Sequence, residues 1–533
     1  MNLFEQERQR FEPTLPRVFK EAVMLKAVER EKVRAAASIP ELFPKSCNQS
    51  LVQFETSQVA QAPALRVGVV LSGGQAAGGH NVISGLFDAL KKMHPHSHLF
   101  GFLGGPSGII ENSYKELDAA LLAHFRNMGG FDLIGSGRTK IETPEQLDAA
   151  LKNCTALSLD GLVIIGGDDS NTNAAILAEY FLSHGSNTVV VGVPKTIDGD
   201  LKNVYVNASF GFDTACKIYS EMIGNICRDA LSAKKYTHFI KLMGRSASHI
   251  ALECALQTHA NVTLIGEEIA AKKMTLQQIT EYLCDVIHKR AEQGKHYGVI
   301  LIPEGVVEFV PEMKQLIQEL NSLLAQGETE VVNKLSKSAR SAYDYLPKEI
   351  AEQLLLDRDP HGNVQVSHIA TEQLFIHTVK KALQNRKEFK GKFSAVGHFF
   401  GYEGRCGYPS NFDANYCYAL GFTTAALIAN GLTGYMSVVQ NLAESSEEWE
   451  PAGIPLTIMM DIEERKGKKK PVIKKALVNL EGEPFKHFIS HREEWAIQDC
   501  YRFPGPIQLF GPSALCNETT FTLRLEQTPL VKL

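Results

Sequence analysis

The chain has 533 residues, of which 44% are hydrophobic and 22% are charged. Its 55 Lys and Arg against 60 Asp and Glu give a net charge of −5. This length exceeds one compact core, so we expect two or more domains. The slightly negative charge excludes recruitment of nucleic acid or of a membrane surface by overall basicity, so any anion must be bound by local clusters.

Cysteine usage and the N-terminus indicate the cellular compartment. The ten cysteines form no CxxC pair and no Cys/His metal spacing, which favours reduced thiols. The N-terminus is charged and lacks an apolar signal core, and no uninterrupted apolar run is long enough to span a bilayer. We therefore expect a cytoplasmic protein that has no membrane segment.

The first half of the chain alternates between strand and helix patterns. Residues 1–60 are charged and predict a helical extension, and a glycine-rich turn and a helix over 82–92 follow the first strand. Short apolar strands are predicted at 66–71, 99–103, 163–165, 188–193, 237–243, 262–265 and 298–302. Such strands, separated by helical runs, predict a mostly parallel sheet with helices on both faces.

The second half contains a helical segment before the alternation resumes. Residues 311–384 are charged and low in β-branched residues, which predicts a helical insertion. A strand at 393–397, a helix at 414–430 and a strand at 435–439 follow. The lysine-rich segment 463–470 is interpreted as a solvated hairpin tip or loop rather than a nucleic-acid contact. No pattern assigns the tail after Trp495.

We expect an α/β protein with two Rossmann-like three-layer α/β/α domains of mostly parallel sheets, plus the helical insertion and the N-terminal helical extension. The predicted domains are an N-terminal extension (1–60), a first α/β domain (61–260), a second α/β domain with its insertion (261–460), and a C-terminal extension packed on the main body (461–533).

One glycine turn carries two acids. Gly166–Ser170 follows the apolar run 162–165 and precedes an amphipathic run, which indicates a strand, a turn and a helix start. Such a turn suits a phosphate. The paired carboxylates of Asp168 and Asp169 are explained if a divalent cation mediates or if one acid excludes a ligand, although helix N-termini also favour acids without any ligand.

A second cluster, Pro194–Asp200, closes another buried strand, so its side chains are expected at the same sheet edge as Asp168. Asp198 could accept a proton from a sugar hydroxyl, and Asp200 could orient that group. Lys195 could neutralise the charge that develops on a transferring phosphoryl group. A plain turn, with Asp at its usual positions, is the simpler alternative.

Arg245 and Arg405 each follow a glycine directly. An arginine at such a position could hold a phosphomonoester bidentately. Glu304 follows another strand and could bind sugar hydroxyls. Taken together, five motifs resemble the phosphofructokinases, and more closely their pyrophosphate-dependent, long-subunit class. These motifs, within a resemblance that runs from about Val67 to about Gly421, are Gly166–Ser170, Pro194–Asp200, Gly211–Ala215, Met243–Arg245 and Tyr402–Arg405.

The resemblance implies Mg²⁺-dependent, reversible transfer of a phosphoryl group from pyrophosphate to the 1-hydroxyl of fructose 6-phosphate. It implies that Asp198 is the proton acceptor and that Asp168 binds Mg²⁺. The substrate-binding residues it implies are Gly74, Thr196, Ile197, Asp200, Met243, Gly244, Arg245, Glu304, Tyr402, Glu403, Gly404 and Arg405. Lys235 and Tyr236 resemble positions that enter the partner's site in a homodimer with shared active sites.

The resemblance also implies that Asp169 and Lys195 decide the donor, because ATP-dependent members of that family carry glycine at both positions. It assigns the phosphoryl donor to the domain 61–260 and the sugar phosphate to the domain 261–460. A carboxylate at Asp169 would repel the α-phosphate of a nucleotide, a group that pyrophosphate lacks. Alternative functions are a non-catalytic, sugar-phosphate-binding regulatory subunit or an ATP-dependent phosphofructokinase. A nicotinamide-dependent oxidoreductase would share the sheet, but the GxGxxG fingerprint is absent.

Overall fold

The computed structural model describes residues 2–57, 63–328, 330–356, 364, 368–465 and 468–527. Its strands are β1 (Leu25–Lys32), β2 (Ser50–Thr56), β3 (Arg66–Leu71), β4 (His98–Phe102), β5 (Tyr114–Glu116), β6 (Gly161–Gly166), β7 (Val189–Pro194), β8 (Thr237–Leu242), β9 (Val262–Thr263), β10 (Gly298–Pro303), β11 (Ala395–Phe400), β12 (Tyr435–Gln440), β13 (Glu450–Pro455), β14 (Met460–Arg465) and β15 (Lys468–Ile473).

The helices are α1 (Leu3–Gln9), α2 (Arg17–Glu21), α3 (Ile39–Leu42), α4 (Gly79–Met93), α5 (Ser107–Ile110), α6 (Ala119–Ala123), α7 (Pro144–Ala156), α8 (Asp168–Ser183), α9 (Phe212–Ala233), α10 (His249–Thr258), α11 (Gly266–Ala271), α12 (Leu276–Glu292), α13 (Val306–Phe309), α14 (Pro311–Ala325), α15 (Lys337–Tyr345), α16 (Lys348–Leu356), α17 (Thr371–Asn385), α18 (Asn411–Ala429), α19 (Glu483–Ile497), α20 (Ser513–Cys516) and α21 (Phe521–Gln527). Within the described part of the chain, no helix combines the length and the apolar composition needed to cross a membrane.

Two compact units divide the chain. Unit 1 comprises Met1–Ala215, Gly404–Ala476 and Gln508–Leu533, and unit 2 comprises Cys216–Glu403 and Leu477–Ile507. Each unit consists of separated stretches of the chain, whereas each predicted domain is one consecutive stretch, with boundaries at 260/261 and 460/461. The pairing of strands explains the difference, because β12 is hydrogen-bonded to β7 and therefore belongs to the sheet of unit 1.

A nine-stranded sheet forms the centre of unit 1, in the order β1-β2-β13-β12-β7-β6-β3-β4-β5. Its middle strands, from β12 to β4, run parallel, and the strands on both flanks are antiparallel. Strands β6 and β7 are buried along their whole length, as their apolar runs predict. The apolar core on this sheet includes Phe102, Ile164 and Met436.

Unit 2 has a four-stranded sheet, in the order β11-β8-β10-β9, in which all strands are parallel. Its core runs from this sheet, at Phe239 and Ile300, into helices α12, α14 and α17. The helical segment predicted at 311–384 is observed as helices α14 to α17 among its described residues. The predicted mixed α/β class, with mostly parallel sheets, is confirmed.

The N-terminal extension is only partly helical, which corrects the prediction for residues 1–60. Helices α1, α2 and α3 are short, and β1 and β2 are antiparallel strands at the edge of the unit 1 sheet. Most of β1 is exposed, and its residues Glu29–Lys32 are all charged. Taken alone, this charged sequence resembles the exposed face of a surface helix. Its strand conformation comes from pairing with β2, which the local sequence does not encode.

Candidate active site

The turn between β6 and α8 places two acids at the start of a helix. Helix α8 begins at Asp168, and Asp168 and Asp169 occupy its first turn. A Cβ added to Gly166 would lie 2.3 Å from Ser170 Cβ, so glycine is required for this tight turn. Ser170 Oγ donates to Ser72 Oγ at 2.8 Å, which ties the turn to the carboxyl end of β3. The two glycine turns therefore meet, as the parallel sheet predicts.

Asp168 and Asp200 share one cation. The Lys475 ammonium lies 3.5 Å from Asp168 Oδ2 and 3.6 Å from Asp200 Oδ2. Asp200 follows β7 and is buried. Burial, followed by the neighbouring charge of Asp198, raises the pKa of Asp200 to about 7, while Lys475 acts in the opposite direction. The structure thus brings Asp168, Asp198 and Asp200 into one electrostatic cluster.

Asp169 points to a different cation. Its Oδ1 accepts a hydrogen bond from Lys140 Nζ at 3.0 Å, and its side chain is 57% exposed. Adjacent acids therefore have separate partners: Lys475 for Asp168 and Lys140 for Asp169. The loop that carries Lys140 is fixed to α8, because the Asn173 side chain exchanges two hydrogen bonds with the backbone of Ile141. Asp169 is thereby held at an exposed position beside the glycine turns.

Lys195 is the buried cation of this cluster. It follows β7, is only 6% exposed, and its Nζ donates to the carbonyl oxygen of Gly74 at 2.7 Å. Burial lowers the pKa of Lys195 to about 8; the positive charge of Arg405 acts in the same direction, while Asp198 and Asp168 oppose it. Because the surroundings stabilise the charge of Lys195 so little, an anionic ligand would stabilise that charge strongly.

The segment after Lys195 presents Asp198. Thr196 Oγ1 accepts from the backbone N–H of Asp198 at 3.1 Å, and Ile197 is buried beneath the segment. Gly199 follows with φ +70°, a left-handed conformation that favours glycine. Asp198 is half-buried, so part of the residue remains accessible to a ligand.

Arg405 lies beside the glycine turn that follows β3. A Cβ added to Gly74 would be 3.1 Å from Arg405 Nη1, so the bare glycine backbone allows the guanidinium to approach. Gly404, which precedes Arg405, is buried in the same short turn. The exposed Arg138 also acts on Lys195 electrostatically. Arg138, Lys140, Lys195 and Arg405 therefore give unit 1 several cations near its glycine turns.

The motif Gly211–Ala215 has a structural part in unit 1. Asp413 accepts hydrogen bonds from the backbone N–H groups of Gly211 and Thr214, at 3.1 and 2.9 Å. Ser410 Oγ donates to Asp213 Oδ2 at 2.5 Å. Burial raises the pKa of Asp413 to about 7, and Asp213 adds to the shift. This buried network joins the start of α9 to the start of α18.

In unit 2, the predicted sugar-phosphate residues converge at the carboxyl ends of β8 and β10. Met243 is buried, and Gly244 donates its N–H to Glu304 Oε2 at 3.2 Å. A Cβ added to Gly305 would lie 1.8 Å from the carbonyl oxygen of Arg245. The Arg245 side chain is 54% exposed. The structure thus brings Met243, Gly244, Arg245 and Glu304 together, with the guanidinium available to a ligand.

Other predicted residues of unit 2 are placed differently. Tyr402 and Glu403 are both exposed, and the boundary between the units falls directly after Glu403. Lys235 and Tyr236 precede β8, whereas Arg245 follows it. Since each strand residue spans about 3.3 Å, the six residues of β8 separate the two ends by roughly 20 Å. Lys235 and Tyr236 are therefore not brought to Arg245 within one chain.

Sequence reasoning missed three basic residues. Arg138 and Lys140 follow a Gly-Ser-Gly turn, and that glycine-flanked basic pair was an available signal. Lys475 had none, because it follows a lysine-rich segment that predicts a solvated hairpin. Strands β14 and β15 form an antiparallel hairpin that contains most of the predicted segment 463–470, and residues 466–467 of that segment lie outside the described residues.

The acids of unit 1 fit a hard divalent cation. Asp168 and Asp200 already share a positive charge, and carboxylate oxygens are the ligands that Mg²⁺ prefers. Over the ranges that the structure describes, no three His, Cys, Asp or Glu side chains are grouped to hold a metal alone. Mg²⁺ does not require such a group, because it is commonly bound by one or two carboxylates together with substrate phosphates and waters.

The comparisons with known proteins agree with this geometry. The phosphofructokinase family model matches residues 66–428. A pyrophosphate–fructose 6-phosphate 1-phosphotransferase from Treponema pallidum is 52% identical, over 99% of this chain and 97% of the relative. Subunit beta 1 of the enzyme with that name from Arabidopsis thaliana is 55% identical, over 96% of this chain and 92% of the relative.

A solved structure shares the fold at low identity. The pyrophosphate-dependent phosphofructokinase from Marinobacter aquaeolei superposes with a TM-score of 0.55 and 15% identity, covering 82% of this chain and 93% of that one. The resemblance inferred from the five motifs is thus confirmed by near-full-length relatives. The chain belongs to the phosphofructokinase family.

Proposed function

We propose that this protein transfers a phosphoryl group reversibly from pyrophosphate to the 1-hydroxyl of fructose 6-phosphate, with Mg²⁺, giving fructose 1,6-bisphosphate and phosphate. Relatives that cover nearly the whole chain are named for this reaction. One observation carries the choice of donor: Asp169 lies exposed beside the donor turns while Lys195 is buried against Gly74.

Asp169 and Lys195 favour pyrophosphate over ATP for different reasons. The Asp169 carboxylate would repel the α-phosphate of a nucleotide, a group that pyrophosphate lacks. Lys195 donates to the Gly74 carbonyl, so its ammonium group lies where it could bind a phosphate of the donor. In a buried setting this cation stabilises negative charge that develops on the transferring group. Glycine at both positions would remove the repulsion and the cation together.

Asp168 would hold Mg²⁺, with Asp200 nearby. When bound, the ion neutralises phosphate charge and orients the diphosphate for in-line displacement. This assignment is supported by the two carboxylates, which share the charge of Lys475.

Asp198 is the proposed proton acceptor. The O1 oxygen of fructose 6-phosphate attacks one phosphorus of pyrophosphate, the bond from that phosphorus to the bridging oxygen breaks, and inorganic phosphate leaves. The hydroxyl proton passes to Asp198, whose position is set by its hydrogen bond to Thr196 and by the turn at Gly199. Asp200, whose pKa is raised to about 7, borders this group and limits the negative charge around it.

The sugar phosphate is the proposed ligand of Met243, Gly244, Arg245 and Glu304. An exposed guanidinium at a strand end can hold a phosphomonoester bidentately, and a buried carboxylate can accept from sugar hydroxyls. We also propose that the sugar phosphate contacts Tyr402, Glu403, Gly404 and Arg405. Arg405 also borders Gly74.

We further propose a homodimer in which Lys235 and Tyr236 serve the partner's site. Their position at the opposite end of β8 from Arg245 supports this, because they have no route to that strand end in their own chain. A cytoplasmic location is supported by the ten cysteines, all of which are free thiols.

The test is the initial rate of fructose 1,6-bisphosphate formation with pyrophosphate against ATP, at fixed fructose 6-phosphate and Mg²⁺. We expect turnover with pyrophosphate and little or none with ATP. Turnover with ATP alone would overturn the donor assignment, and binding of fructose 6-phosphate without turnover with either donor would indicate a regulatory subunit instead.

A further inference from the structure

Lys475 comes from outside the family domain. It follows strand β15 and lies beyond residues 66–428, which match the family model. Even so, its ammonium bridges Asp168 and Asp200, at 3.5 and 3.6 Å. These two acids come from different turns, one at the start of α8 and one after β7. The C-terminal extension thus places a cation where the family domain concentrates negative charge.

The backbone around Lys475 is anchored, whereas its side chain retains access to solvent. The N–H of Ile473 donates to Thr172 Oγ1 at 3.1 Å, and the N–H of Ala476 donates to the Asp200 carbonyl at 2.7 Å. The Lys475 side chain is 39% exposed. The anchors hold its Cα near the acids, so the ammonium can leave and return without movement of the main chain.

We propose that Lys475 is a tethered cation that competes with the divalent metal ion for the carboxylates of Asp168 and Asp200. The inference rests on the metal position given under the proposed function. Without a cation, the two acids would repel each other, and Lys475 relieves that repulsion. A divalent ion must displace the ammonium before it gains both carboxylates. Metal bound to pyrophosphate gains phosphate contacts that offset this cost, so we expect the free enzyme to bind metal weakly and the two ligands to enter together.

The experiment measures Mn²⁺ binding to the full-length enzyme without pyrophosphate, using the electron paramagnetic resonance signal of free Mn²⁺. We expect Lys475→Met to bind Mn²⁺ about three- to tenfold more tightly than the wild type, the range expected for two partly exposed charge pairs. Lys475→Arg keeps the charge and should stay close to the wild type. Lys470→Met is the matched control, because it removes a hairpin lysine that pairs with Glu142 instead.

The outcomes separate this inference from the proposed function. Unchanged or weaker Mn²⁺ binding by Lys475→Met would overturn the competition, since a merely structural lysine would give that result. An equal gain in Lys470→Met would also overturn it, because hairpin charge in general would then be responsible. Asp168→Asn should weaken Mn²⁺ binding; if it does not, the metal assignment fails as well. Pyrophosphate turnover by the wild type tests the proposed function independently.

Discussion

The charge of Lys195 offers the sharpest prediction, because burial places its titration within a measurable pH range. Its pKa is lowered from 10.5 to about 8. At about 1.4 kcal/mol per unit, this difference of about 2.5 units corresponds to roughly 3 kcal/mol for holding the charge in its buried position. We expect kcat/KM for pyrophosphate to fall above about pH 8, approaching a tenfold loss per pH unit, as the free enzyme loses this charge.

Two substitutions isolate the effect. Lys195→Arg keeps a charge at all accessible pH values, so the decrease above pH 8 should disappear even if the overall rate is lower. Lys195→Met should lower kcat/KM by about 10²- to 10³-fold near pH 7, the cost of removing one preorganised group that stabilises transition-state charge. Pyrophosphate itself titrates identically with every variant, so the comparison with Lys195→Arg removes its contribution from the profile.

The pH dependence of stability supplies a second measurement, because the free energy of unfolding should rise with pH where kcat/KM falls. The folded-state pKa of Lys195 is below its unfolded value, so the unfolded chain binds more protons between about pH 8 and 10.5, and the wild type gains stability as pH rises through that window. At pH 7, Lys195→Met should be more stable by about 1–3 kcal/mol, reduced by the lost hydrogen bond to Gly74. That advantage should shrink above pH 8 in denaturant titrations.

A decrease above pH 8 that persists unchanged in Lys195→Arg would refute this reasoning. So would a wild-type profile that stays flat between pH 7 and 9 while Lys195→Met remains inactive, because the lysine would then be essential for a reason other than a titrating charge.

Three further substitutions test the other assignments. Asp169→Gly should lower pyrophosphate turnover and allow measurable ATP turnover, while the free energy of unfolding changes by less than about 1 kcal/mol because the pair with Lys140 is exposed; unchanged pyrophosphate kinetics would contradict the repulsion argument. Asp198→Ala should lower kcat by about 10²- to 10⁴-fold with a much smaller change in KM, and an effect confined to KM would assign it to binding instead. Gly305→Ala forces a methyl group to 1.8 Å from the Arg245 carbonyl. It should raise KM for fructose 6-phosphate more than KM for pyrophosphate and cost about 1–3 kcal/mol of stability; KM values for both substrates that stay at the wild-type level would show that the loop accommodates the methyl group.

Much of the fold could be predicted because the decisive signals are local. The buried strands at 161–166 and 189–194 are continuous apolar runs, and the glycine turns after them mark where polar groups emerge. The strand β1 could not be predicted in the same way. Most of its residues are exposed and charged, and it becomes a strand by pairing with β2 at the edge of the sheet.

By itself, the sequence determined the alternating α/β pattern, the paired acids at Asp168 and Asp169, and the family that the motifs resemble. The tertiary structure alone decided which cation each acid meets: Lys140 for Asp169, and Lys475 for Asp168 and Asp200. The physical reason is distance along the chain. Residue types and short spacings encode turns and strand ends. The contact of Asp169 with Lys140, 29 positions away, and those of Asp168 and Asp200 with Lys475, about three hundred positions away, exist only once folding has brought the segments together.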